Sequence, residues 1–177
     1  MQKTLYFMAF AVIVLLVGCG KDSKSNFDEA KKLKSEKRYN EAIAIFEKMI
    51  ADMPDDDSIV VAYYHLGELY RMPEIAKSSK DKLKAIENYK KVYEKFPKND
   101  LASQALFQIG FIYGNELDDI PNATEYYNKV IKEYPKTEAA KLAQDDLQLL
   151  GKSPEELLNE RMKKNENNKK ENKVATP

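Results

Sequence analysis

Few side chains in this 177-residue chain could do chemistry, and their spacing decides what kind. Cys19 is the sole cysteine, so neither an internal disulfide nor a multi-cysteine zinc site can form. His65 is the sole histidine, one turn from Leu69, and reads as a surface or edge residue, not a ligand. Asp55-Asp56-Asp57 would suit a hard cation, but it falls where a turn and a helix cap are expected. There is no Gly-rich phosphate loop, no pair of histidines and no GxSxG. The chain is therefore not read as an enzyme, and no cofactor, metal or small-molecule substrate is expected.

Cys19 has a different role, set by what precedes it. Lys3 is a short positive start, and Leu5 to Val17 is an uncharged apolar run of 13 residues. That length suits a signal peptide and is short of the roughly 20 residues a membrane span needs. The run ends in Leu16-Val17-Gly18-Cys19, and the polar stretch Gly20-Lys21-Asp22-Ser23-Lys24-Ser25 follows at once. This resembles the lipobox of bacterial lipoproteins. The resemblance implies cleavage of residues 1–18 and acylation of Cys19, with 19–26 as a short linker. Each buried methylene contributes about 0.8 kcal/mol, so two or three acyl chains hold the protein firmly. The linker reaches at most about 25 Å, which keeps the folded part close to a membrane. Gly20, where inner-membrane lipoproteins carry Asp, points by the same resemblance to the outer membrane, facing the periplasm.

The elements behind these residues are helical. Charged residues make up 33% and apolar residues 43%, an ordinary mixture for a helical globular protein. The 29 basic and 29 acidic residues cancel, which argues against a nucleic-acid binder. One spacing recurs three times: Ala42-x3-Phe46 with Pro54, Ala85-x3-Tyr89 with Pro97, and Ala123-x3-Tyr127 with Pro135. The later copies are preceded by Tyr63-x2-Leu66-Gly67-x2-Tyr70 and Leu106-x2-Ile109-Gly110-x2-Tyr113. Together these resemble the tetratricopeptide repeat (TPR), with Tyr or Leu where Trp is commonest.

The fold expected is therefore all-α: a TPR-type α-solenoid of helix-turn-helix repeats over 27–150, with about three repeats (23–56, 60–99, 103–137) and a C-terminal cap (137–150). Small Ala42, Ala85, Ala123, Gly67 and Gly110 let the two helices of a repeat approach, and Phe46, Tyr89 and Tyr127 fill the seam. The prolines end the second helices. Asp56 or Asp57, Asn99 or Asp100, and Thr137 cap the helices that follow. The first copy is weaker, with Ala30 and Leu33 at the Gly and Tyr slots. The interval from Ala42 to Ala85 is 43 residues against 38 for the next, and the excess is placed in a loop over Arg71–Lys82. The cap buries Ala139, Ala143, Leu147 and Leu150. Residues 151–177 comprise a short helix, capped by Ser153 and opened by Pro154, and a Lys/Asn-rich tail expected to be disordered.

TPR arrays bind partners in the groove lined by the first helices of their repeats. By that resemblance, residues off the core stripe face the groove: Val61, Tyr64, Glu68 and Arg71 on one helix, and Gln104, Phe107, Phe111 and Asn115 on the next. Tyr64, Phe107 and Phe111 would form an aromatic-lined peptide groove; the alternative is that these rings pack against neighbouring helices. The carboxylate clamp of chaperone-binding TPRs is not carried over, because the matching slots hold Phe27 and Lys31. Envelope proteins or peptides are the expected partners. The Pro135–Ala140 segment and Leu149-Leu150-Gly151 resemble both the TPR lipoprotein of the outer-membrane β-barrel assembly machinery and the TPR domain of the Tol–Pal-associated coordinator of envelope constriction. The first implies a part in barrel assembly. The alternatives are a Tol–Pal or wall-associated coordinator, or a regulatory subunit of an envelope enzyme or exporter.

Overall fold

A computed structural model describes residues 23–54, 56–153, 155–159 and 162–163. Cys19, the signal segment, Asp55, Pro154 and the tail from 164 onward lie outside the described residues. The chain divides into two compact units, with the border between Ala62 and Tyr63.

The first unit is built on a helical hairpin, α1 (Ser23–Ser35) and α2 (Tyr39–Asp52). Lys37 makes the turn in the left-handed region, at φ 61°. The amide of Lys37 donates to the Lys34 carbonyl and that of Arg38 to the Leu33 carbonyl, so the last carbonyls of α1 are satisfied. Ala30 and Ala42 are fully buried with Phe46. This is the small–small–large seam expected of the first copy.

The second unit begins within α3 (Ile59–Leu69) and continues through α4 (Ser79–Lys95), α5 (Asp100–Phe111), α6 (Ile120–Glu133) and α7 (Glu138–Leu149). Its helices form consecutive antiparallel hairpins, the TPR-type α-solenoid arrangement. The seams show why glycine is required. A Cβ on Gly67 would stand 2.7 Å from the Tyr89 ring, and one on Gly110 would stand 2.6 Å from the Tyr127 ring. Both tyrosines are fully buried. Each glycine is thus the surface on which a ring of the partner helix lies.

The ends of the second helices repeat as closely. α2, α4 and α6 stop at Asp52, Lys95 and Glu133, two residues before their prolines. The intervening Met53, Phe96 and Tyr134 have φ near −130° and ψ near 50°, and each amide still donates one turn back. Proline disfavours the helical conformation in the residue before it, so the stop is set one position early. Of the residues expected to cap, Asn99 accepts from the Leu101 amide at 3.0 Å and Thr137 from the Ala140 amide at 3.2 Å. Asp56 accepts from the Ser58 amide at 2.7 Å and shapes the turn before α3.

Two expectations are corrected, and one feature is added to them. The connection after α3 is shorter than Arg71–Lys82, because α4 already starts at Ser79. The Ser78 amide and hydroxyl both donate to the Asp81 carboxylate, at 3.1 and 2.9 Å, so a Ser-x2-Asp box opens the helix there. The buried face of α7 is Ala139, Ala140 and Ala143, while Leu147 and Leu150 are half-buried. Finally, α5 does not simply end. It runs on through a π-helical turn, Ile112–Glu116, in which the Leu117 amide donates to the Ile112 carbonyl five residues back.

The repeat formed by α3 and α4 exceeds the usual TPR length of about 34 residues. Its surplus is the connection after α3, and this connection meets the π turn. Arg71 Nε donates to Glu116 Oε1 at 2.8 Å, and Lys82 Nζ donates to the Glu116 carbonyl at 2.7 Å.

Candidate partner-binding groove

α5 presents two stripes. Leu106, Ile109 and Gly110 are buried in the seam. Gln104, Phe107, Gln108 and Phe111 are spaced three and four residues apart on another face, which is one side of a helix. Phe107 and Phe111 are half-buried there, with ring centroids 6.4 Å apart. Tyr64 of α3 meets this row: its hydroxyl donates to Gln104 Oε1 at 3.3 Å.

Tyr64, Gln104, Phe107 and Gln108 line one wall of a cavity of about 500 Å³, within the range of ligand-sized sites. Tyr134, Ala139 and Leu142 supply much of the opposite side. Tyr134 is held by its hydroxyl, which donates to the Pro97 carbonyl at 2.7 Å. Leu142 is 43% exposed, a large apolar side chain on the surface of α7. Tyr64 is ordered from behind, edge-on to Tyr89 at 5.4 Å. Burial, and then the Glu68 carboxylate, push its hydroxyl above the usual tyrosine pKa.

Arg71 and Phe111 form a second cluster joined to this wall. The Arg71 guanidinium donates to Gln108 Oε1 and lies 5.1 Å over the Phe111 ring, while holding Glu116. Phe107 also packs on Tyr127, centroids 5.7 Å apart. Phe107 thus packs on a neighbouring ring while it lines the cavity, and Phe111 lies outside the lining. Phe107 is shared between seam and cavity, and Phe111 sits under Arg71.

The other expected groove residues do not line this cavity. Glu68 is 2.6 Å from His65 Nδ1, so both belong to one part-buried pair on α3. Asn115 lines a different cavity, with Tyr127 and Asp146. Its spacing of four from Phe111 would have put it on the groove face of an α-helix, but the wider π turn rotates it away. Val61 belongs to the first unit, where it borders a small cavity with Phe27 and Met49. Sequence reasoning missed Gln108, whose place four residues after Gln104 could have revealed it. It also missed Tyr134 and Leu142, whose part depends on how α6 and α7 pack.

The tetratricopeptide-repeat family profile matches residues 61–99 and 104–137, the stretches that fold as α3–α4 and α5–α6. No curated protein matches the chain. The chain thus carries TPR repeats in an all-α fold, a module that serves as a scaffold for protein–protein interaction and is typically non-catalytic. No helix among the described residues is long and apolar enough to cross a membrane.

Proposed function

We propose that this protein is a lipid-anchored adaptor of the bacterial cell envelope. It holds a segment of a partner protein in the cavity between Tyr64, Phe107 and Leu142. The observation that carries the binding role is the cavity itself: an aromatic wall on the first helices of TPR repeats, facing an exposed leucine. The anchor rests on Leu16-Val17-Gly18-Cys19 and the apolar run before it. Outer-membrane protein assembly is the pathway we favour, on the combination of lipobox, Gly20 and TPR repeats.

The anchor is tested by Cys19→Ser. Membrane fractionation should find the wild-type chain with the outer membrane and the variant uncleaved or released. An identical distribution and processing would overturn the anchor. The binding role is tested by a photo-crosslinker at Phe107 in the native protein. Adducts to a barrel-assembly component support the proposal as stated. Adducts to a wall synthase, hydrolase or Tol–Pal component keep the adaptor and replace the pathway. Crosslinks confined to Tyr127 and its neighbours would overturn the groove.

A further inference from the structure

The charges around the cavity narrow what fits. Its lining carries two carboxylates, Asp100 and Glu138, and one ammonium, Lys98; the remaining polar lining residues are neutral. Glu138 pairs with Lys141 at 3.2 Å, but both side chains are more than 70% exposed, so the pair is weak and open to exchange. The nearby Arg71 guanidinium is already committed to Glu116 and Gln108.

Two helix N-termini, those of α5 and α7, border the cavity and would ordinarily attract an anion. Here they do not offer a cradle. Asn99 and Thr137 take the amides of Leu101 and Ala140 with their own side chains. Asp100 and Glu138 then place negative charge in the first turns. A carboxylate or phosphate entering the cavity would meet two like charges against one ammonium.

The cavity also has main-chain readers. Gln104 and Gln108 each have the carbonyl oxygen engaged, by Tyr64 and by Arg71. That orientation leaves the amide nitrogens to meet a peptide carbonyl. Phe107, Tyr134 and Leu142 are the apolar contact surface.

We infer that the occupant is a cationic-apolar peptide segment: one or two large apolar side chains against Phe107, Tyr134 and Leu142, flanked by Lys or Arg that pair with Asp100 and Glu138. This rests on the proposal that the cavity is the binding groove, and names the class of segment it selects.

The test uses the full chain and short acetylated, amidated peptides. All share one Ala-Leu-Phe-Ala centre and are flanked on both sides by lysines, by glutamines or by glutamates. The lysine peptide should bind about tenfold tighter than the glutamate peptide at low salt, with the glutamine peptide between them. Added salt should shrink the difference. Asp100→Asn with Glu138→Gln should reduce it to about twofold or less, and Lys98→Glu should widen it. Leu142→Ser, at an exposed position, should weaken all three peptides. Equal affinities, or a preference for glutamate, would overturn the charge selection; if Leu142→Ser still weakens binding, the groove itself stands. No binding by any peptide, or binding indifferent to Leu142→Ser, would overturn the groove reading and this inference with it.

Discussion

The smallest residues carry the tightest geometric demand. Gly67 and Gly110 each lie under a ring that fills the space a Cβ would need. Alanine favours a helix over glycine by about 1 kcal/mol. Against that, overfilling a packed seam costs about 1–3 kcal/mol. The rings of Tyr89 and Tyr127 are fully buried, so they have little room to yield. Gly67→Ala and Gly110→Ala should therefore lower stability by up to about 2 kcal/mol net, read as a fall in the urea midpoint. Combining Gly110→Ala with Tyr127→Leu should cost less than the sum of the two changes. Strict additivity would show that ring and Cβ do not compete. The crosslinking and peptide experiments above probe the same scale, because Phe107 borders both the Tyr127 seam and the open cavity.

Among elements, the connection after α3 and the π turn after α5 act as a pair. Arg71 and Glu116 are only 22% and 20% exposed, so their contact is shielded from solvent. A hydrogen bond to a charged group contributes about 1.5–3 kcal/mol. Arg71→Ala should cost an amount in that range. It should also raise amide exchange in 70–78 and 112–118 before the helices respond. Arg71→Lys should rescue little, since an ammonium cannot reproduce the guanidinium fork over Phe111. Equal exchange in wild type and variant would dissociate the two segments. These elements also show where the sequence was legible. Ala-x3-Tyr with proline twelve residues on marks a seam and a helix end, because both are local packing rules. Leu-x2-Ile-Gly marks the face that meets them. The π turn leaves no such trace: Ile112-Tyr113-Gly114-Asn115-Glu116 reads as ordinary helix, and the turn's contacts, to Arg71, Lys82, Tyr126 and Leu150, come from distant parts of the chain. The position of Asn115 was lost for that reason, and that of Leu142 because α7 keeps a leucine on its open side.

For the whole molecule, the titration behaviour follows from its tyrosines. Tyr64, Tyr89, Tyr113, Tyr127 and Tyr134 are all shifted upward, first by burial. For Tyr127 the hydrogen bond to Asp146 adds to the shift. A raised folded-state value means that the folded chain holds its protons longer than the unfolded one. That stability is fully present below the ordinary tyrosine value of about 10, and is lost as pH rises through the higher folded values. Glu41, Asp81 and Glu156 are shifted the other way, by hydrogen bonds from Arg38, Ser78 and Ser153. Their contribution is present above about pH 4 and lost on acidification. The thermal midpoint should therefore stay level between about pH 6 and 9 and fall steeply above about pH 10. Tyrosinate absorbance should rise together with that fall. Ionisation of Tyr89 or Tyr127 itself at about pH 10 with no loss of helix, read from its own ring resonances, would contradict the burial of these hydroxyls. The meeting of the long connection with the π turn has a consequence in heredity as well. Glu116 answers to Arg71 through its carboxylate and to Lys82 through its carbonyl. Among descendants of a common ancestor, the additional residues near 70–78 should be kept together with an acidic residue at the place of Glu116.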